Sequence, residues 1–274
     1  MITVYYQGEK GSFSEIAASR FFKGNGKCIG LFNFAQVFKA VKTKKNSYGI
    51  VPLENTLMGS IHQNYDLLLR SGLWIVGETK IQISFNLYAL RTSSLHKITE
   101  IWSHPVALEQ CKVFLSRHQN LQITPVYDAA GVAKNIIDQN RYDVGLIAGP
   151  EVGRVYGLQL IKGKIEDSSH NYTRFLAVSN TRKVSRKQSA KTSIVFGVKN
   201  APGILFRCLS IFALRNIDLV KLESRPFVGK PWEYLFYVDF IGSAEEEKCM
   251  KAIDDLKDIA VYTKILGSYE TKEG

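Results

Sequence analysis

At 274 residues, with 45% hydrophobic and 22% charged side chains, the chain has a globular composition and a length that suits about two domains. Its net charge of +11 invites an anionic partner, but no nucleic-acid motif accompanies the charge, and no apolar run nears the roughly 18 residues of a membrane span, so neither nucleic acid nor membrane is expected. Four scattered cysteines and five histidines without ligand spacing argue against a disulfide framework or a metal, and with a start that lacks the secretory pattern they make the cytoplasm the expected location.

Residues 2–7, β-branched and aromatic, predict a first strand. Gly8 to Gly11 make a turn, and Ser12 with Glu15 three places on is the capping-box pattern that opens a helix over 12–22. A strand at 27–31 precedes a helix over 33–41, whose Phe34, Val37, Phe38 and Val41 share one face. Residues 48–52 predict a strand, and 60–70 a helix with Ile61, Tyr65, Leu68 and Leu69 inward. A strand-rich stretch over 74–90 follows. Then come a strand at 98–102, a helix over 105–117, a strand at 123–127, a helix over 129–139 and a strand at 144–148. This alternation predicts mainly parallel sheets covered by helices, arranged as two small lobes with a cleft between them. Residues 181–191, polar and basic, predict a linker. Beyond it a strand at 193–198, a helix over 203–214, strands at 217–223 and 232–241, a helix over 244–256 and a strand at 259–266 spell βαββαβ, a ferredoxin-like unit. The expected domains are 1–180 and 192–270, joined by 181–191.

Several segments could carry chemistry. Gly8-x-x-Gly11-Ser12 at a helix start could hold an anion or simply connect two elements. The stretch from Val51 to Ser60 offers carboxylate, amide and hydroxyl groups, or else a capped turn. Ser103-His104-Pro105, with Gln110 further along, repeats that choice. Asn171-Tyr172-Thr173-Arg174-Phe175 sets a hydroxyl beside a guanidinium, which suits a dicarboxylate with a leaving hydroxyl but equally suits a strand start with an exposed Arg. In the second unit, Pro202-Gly203 before a helix exposes amides fit for a carboxylate and Glu223 could accept from an ammonium, or the two are a tight turn and a surface salt bridge.

In this order the segments resemble the monofunctional prephenate dehydratases with a C-terminal ACT domain. The likeness rests on Tyr6-Gln7-Gly8 through Gly11-Ser12-Phe13-Ser14-Glu15, Val51-Pro52-Leu53-Glu54-Asn55-Thr56, Ser103-His104-Pro105 with Gln110-Cys111, Asp128-Ala129-Ala130-Gly131, and Asn171 to Phe175. Asn200-Ala201-Pro202-Gly203-Ile204-Leu205-Phe206 and Glu223-Ser224-Arg225-Pro226 are similar to the family's two phenylalanine-binding motifs. The chain departs from the pattern at Val106, where the family commonly has Gln, and at Ala129, where it commonly has Thr.

The resemblance implies an α/β fold, with a two-lobed, periplasmic-binding-protein-like catalytic domain followed by a ferredoxin-like ACT domain. It implies decarboxylative dehydration of prephenate to phenylpyruvate, in phenylalanine biosynthesis, with no cofactor and no metal. Thr173, Arg174 and Phe175 are then catalytic: Thr173 donates to the departing ring hydroxyl, Arg174 orients the substrate's chain and Phe175 walls the cleft. Asn55, Thr56, Ser103, Gln110 and Glu54 bind substrate. Asn200, Ala201, Pro202, Gly203, Ile204 and Leu205, with Glu223, Ser224, Arg225 and Pro226, bind L-phenylalanine as feedback effector between ACT domains of a homodimer or homotetramer. Two other readings stay open. One is arogenate dehydratase, because Ser60-Ile61-His62-Gln63-Asn64-Tyr65-Asp66 also resembles the plant enzymes. The other is a non-catalytic small-molecule sensor, suggested by Val106 and Ala129.

Overall fold

The computed structural model describes residues 2–187, 189–227 and 233–272. The first lobe begins β1 (Thr3–Gln7), α1 (Phe13–Phe21), β2 (Lys27–Leu31), α2 (Phe34–Thr43) and β3 (Ser47–Asn55), then β4 (Gly59–Ser60), α3 (His62–Ser71) and β5 (Trp74–Gln82). The capping box stands where the sequence placed it. Ser12 Oγ accepts from the Glu15 amide at 3.3 Å, and Glu15 Oε2 in turn accepts from the Gly11 amide at 2.7 Å, so two otherwise orphaned donors are satisfied.

The second lobe holds β6 (Asn86–Ala89), β7 (Glu100–Ser103), α4 (Pro105–Glu109), α5 (Lys112–Ser116), β8 (Gln122–Pro125), α6 (Ala129–Asp138), β9 (Val144–Ala148), α7 (Pro150–Tyr156) and β10 (Gln159–Lys162). The chain then returns to the first lobe as β11 (Tyr172–Ser179). Both lobe sheets are mixed, not mainly parallel as the alternation suggested. β1 runs parallel to β2 and β3, but the returning β11 inserts antiparallel between β3 and β5, because a chain coming back from the far lobe re-enters the sheet from its opposite end. The second sheet runs β10-β6-β9-β7-β8.

The helix expected over 105–117 is two short helices. At the break, the Gln110 carbonyl accepts from the Asp167 amide at 2.7 Å, and Asp167 Oδ1 accepts from the Val113 amide at 3.0 Å, capping α5. A contact from a distant segment thus diverts the backbone hydrogen bond that a continuous helix would need.

Beyond residue 180 the chain lies along the following unit: Val184 bridges Ser268, and Arg186 and Lys187 pair with Glu245 and Glu270. That unit comprises β12 (Lys191–Val198), α8 (Ile204–Ala213), β13 (Leu219–Pro226), β14 (Tyr234–Ile241), α9 (Glu247–Ile259) and β15 (Tyr262–Tyr269). Trp232, the expected start of the third strand, lies outside the described residues. The sheet order β13-β14-β12-β15 is the ferredoxin-like arrangement expected from βαββαβ. One face packs under α8 and α9 through Phe196, Phe212, Phe240 and Leu256. The other packs on the first lobe's sheet, where Val195, Leu235, Tyr237 and Leu266 meet Leu73, Ile75 and Val178. β12 is therefore buried on both faces, which explains its unbroken apolar run. At Gly267 an added Cβ would come within 2.2 Å of the Ile75 carbonyl oxygen, so glycine is what lets the two sheets close. A last strand, β16 (Thr271–Lys272), pairs with β5.

Candidate active site

Between the lobes lies a cleft of about 420 Å³. β11 and β3 form its floor: Thr173 stands opposite Asn55 in the register, and Arg174 opposite Glu54. Successive strand residues point to opposite faces, so Thr173, Phe175 and Asn55 line the cleft while Arg174 and Glu54 face the other way.

Asn55 is held rigidly. Its Oδ1 accepts from the amides of Leu57 and Met58, each at 2.9 Å, which fixes the direction of its NH₂ group. Nδ2 lies 3.0 Å from Thr173 Oγ1 and 2.7 Å from Asn171 Oδ1. Asn171 Nδ2 in turn donates to Gln110 Oε1 at 2.8 Å. The result is a chain of amides, Gln110–Asn171–Asn55, ending on the hydroxyl of Thr173. With that oxygen accepting from Asn55, whose Nδ2 also lies 3.2 Å from the Tyr172 carbonyl, the hydroxyl keeps its own proton to donate. Asn171 is fully buried. Asn171 carries no role among the sequence expectations, although it lies two residues before Thr173, just ahead of the strand.

The structure places several expected site residues elsewhere. Ser103 is buried and donates to the Ile147 carbonyl at 2.7 Å. It is spent on the β7–β9 pairing, and the neighbour that reaches the cleft is His104. His104 Nδ1 accepts from the Val106 amide at 3.2 Å. Burial lowers the imidazole's pKa against an opposing pull from Asp128, so the ring is neutral and Nε2 carries the proton. Thr56 is a backbone fastener, accepting from the Tyr172 amide at 2.9 Å and donating to the His170 carbonyl at 3.0 Å.

Arg174 cannot orient anything in the cleft. Its guanidinium lies in the boundary between the two domains, 2.6 Å from Glu78, 3.0 Å from Glu54 and 2.7 Å from Asp239, and it donates to the Tyr269 hydroxyl at 2.9 Å. Glu54 also pairs with Lys221, and Glu78 with Lys191 at 2.5 Å. Burial alone would raise the Glu54 and Glu78 carboxyls, but Lys221 and Arg174 hold Glu54 below its usual range, and Arg174 and Lys191 do the same for Glu78.

With Arg174 absent, Asp128 is the one charged side chain among the described residues that line the cleft. Positive potential comes from backbone instead. The starts of α1 and α6, at Phe13 and Ala129, border the space, as do His104 and Gly149, the residues before α4 and α7, so the positive ends of helix dipoles point toward it. At the mouth the lobes touch: Phe32 stacks on Tyr127 with centroids 5.6 Å apart, and the Glu9 amide donates to Asp128 Oδ2 at 3.2 Å. No group of three or more His, Cys, Asp or Glu suited to a metal occurs among the described residues.

Comparison with known proteins accords with this geometry. Residues 4–183 match the prephenate dehydratase family and 192–258 the ACT domain. The chain belongs to the prephenate dehydratase family. It is 38% identical to arogenate dehydratase 2 of Petunia hybrida, over all of this chain and 73% of that protein. Among solved structures it resembles the prephenate dehydratase of Arthrobacter aurescens in complex with L-Phe (27% identical, TM-score 0.90, covering 98% of this chain and 90% of that one). It also resembles GqqA, described as a quorum-quenching acylase (26% identical, TM-score 0.89, 98% of both chains).

In this dehydratase the expected effector motifs fall in two places. Asn200 to Gly203 form an exposed turn, with Gly203 at φ 74° opening α8. Glu223 and Arg225 lie on β13 and face the catalytic domain. Ser60 Oγ donates to Glu223 Oε2 at 2.7 Å, His62 Nε2 lies 3.2 Å from Oε1, and Arg225 Nη2 donates to Asp66 at 3.1 Å. Both Glu223 oxygens thus have partners within the chain, and the Lys221 ammonium lies 3.8 Å from Oε2.

Proposed function

We propose that this enzyme removes water and carbon dioxide from a prephenate-type cyclohexadiene and accepts arogenate alongside prephenate. The observation that carries the reading is the amide chain ending on the Thr173 hydroxyl, in a cleft with no cationic side chain among its described lining residues. As the ring carboxylate leaves as carbon dioxide, its electrons enter the ring and expel hydroxide from the opposite carbon. Thr173 donates a hydrogen bond to that departing oxygen. A neutral hydroxyl is a weak acid at pH 7, so its part is a bond that strengthens as charge develops, not transfer of its own proton. A cation clamped on the ring carboxylate would oppose its loss, and a cleft without a cationic side chain among its described lining residues avoids that clamp. Gln110 and the His104 Nε2 proton supply further neutral donors.

Arogenate differs from prephenate by an ammonium in place of a keto group. Likeness to a plant arogenate dehydratase supports its inclusion, as does a cleft whose one charged described side chain is the carboxylate of Asp128. An acyl-transfer reading in the manner of GqqA finds less support. A hydroxyl nucleophile needs an adjacent base, and the described partner of Thr173 Oγ1 is the Asn55 amide. The test is a direct assay of the purified chain on each substrate, following phenylpyruvate from prephenate and phenylalanine from arogenate. Consumption of neither overturns the proposal, and consumption of only one removes the dual specificity.

The same reading assigns L-phenylalanine as effector and a second copy of the chain as partner of the ACT domain. Val220 and Leu222 on the sheet's edge strand, with Phe206 on α8 and Leu214 just after it, are exposed apolar groups, the usual mark of an association surface. Activity and sedimentation followed together through a phenylalanine titration test this, and unchanged activity at saturation rejects the effector role.

A further inference from the structure

β13 alternates along its whole length between half-buried and exposed residues. Its half-buried residues Lys221, Glu223 and Arg225 all reach the catalytic domain, and they do so within one short segment. Lys221 pairs with Glu54, Glu223 holds Ser60 and His62, and Arg225 holds Asp66. Residues 54–66 are the end of β3, the β4 turn and the start of α3. That segment also delivers Asn55, Met58 and Ile61 to the cleft, and Asn55 aims the Thr173 hydroxyl. Three side chains at i, i+2 and i+4 on one edge strand therefore grip the segment on its far face, one residue from the group nearest the chemistry.

We propose that Lys221, Glu223 and Arg225 are positioning residues for the reaction, acting through segment 54–66 on the Asn55–Thr173 pair. The inference rests on the functional reading above. β13 is an edge strand whose other face, with Val220 and Leu222, is exposed, so anything that binds or pairs there moves the three anchors together. Glu54 and Asn55 are consecutive, and a shift of the Lys221 ammonium turns the peptide that carries Asn55. Misplacement by about 1 Å at a reacting group can cost on the order of a hundredfold in rate.

The experiment compares Lys221→Met, Glu223→Gln and the conservative Lys221→Arg with the unaltered chain. It measures kcat and KM on prephenate and arogenate, and amide exchange of residues 55–62. The expected result for Lys221→Met and Glu223→Gln is a kcat lowered about tenfold with KM changed less than about threefold, and faster exchange across 55–62. Lys221→Arg restores most of both. Kinetics like the unaltered chain's in both variants overturn the proposal. So does a fall in kcat with unchanged exchange at 55–62, since the effect would then travel by another route. If the unaltered chain turns over neither substrate, the functional reading fails, and exchange at 55–62 alone decides whether β13 holds the segment. If Lys221→Met does not fold, Glu223→Gln, which keeps the side chain's size and one acceptor oxygen, carries the same two readouts.

Discussion

Thr173 and Arg174 are neighbours with unrelated work, because a strand sends consecutive side chains to opposite faces. The motif in the sequence located both, but not which faced the cleft, since the apolar residues that follow do not themselves assign a face. The same ambiguity put Ser103 in the site in place of His104, whereas Asn171, two residues ahead of Thr173, joins it through the Asn55 amide. Two substitutions separate these roles. Thr173→Ala lowers kcat by about 10²–10³, the usual cost of losing a donor used mainly in the transition state, while Thr173→Ser recovers much of it; steady-state kinetics with a melting curve check that the fold is kept. Ser103→Ala removes the hydrogen bond to the Ile147 carbonyl and costs about 1 kcal/mol of stability with kcat within a few-fold of normal. A large kcat loss at unchanged stability would return Ser103 to the chemistry.

Among elements, the ones read correctly are those whose signal is local. The cap at Ser12, the inward face of α2 and the βαββαβ order each follow from residues a few places apart. The break between α4 and α5 does not, because the group that causes it, Asp167, is 54 residues from Val113. The antiparallel entry of β11 is equally long-range. The break has a consequence, since it turns Gln110 toward Asn171 instead of continuing the helix. Asp167→Ala removes the α5 cap, with a stability loss of about 1 kcal/mol. Because the Asp167 amide still holds the Gln110 carbonyl, kcat falls only a few-fold, and KM rises as the loosened start of α5 frees the Gln110 side chain. Denaturant unfolding and initial-rate kinetics measure the two effects, and an unchanged KM would show that Gln110 is held by Asn171 alone.

Across the whole molecule, the charges at the domain boundary are complementary in a way composition could not reveal. Arg174, Glu54 and Glu78 leave the catalytic side with one excess negative charge at neutral pH. Lys191, Lys221 and Asp239 leave the ACT side with one excess positive charge, and docking brings the six together in a largely buried space. Glu54 and Glu78 ionise more readily folded than unfolded. Their contribution is therefore complete above the unfolded carboxyl value near about 4.3 and is lost as pH falls through the lower folded value, because below it both states bind the proton. Glu78→Gln leaves Arg174 and Lys191 short of an anion and costs about 3 kcal/mol at pH 7, the scale of breaking a buried pair. Acid should erase that difference. Melting curves of the two proteins, well separated at pH 7, converge as the pH is lowered toward 3, with the unaltered chain losing more. A gap that stays constant over that range would mean Glu78 acts by shape and hydrogen bonding, and that its charge does not hold the domains together.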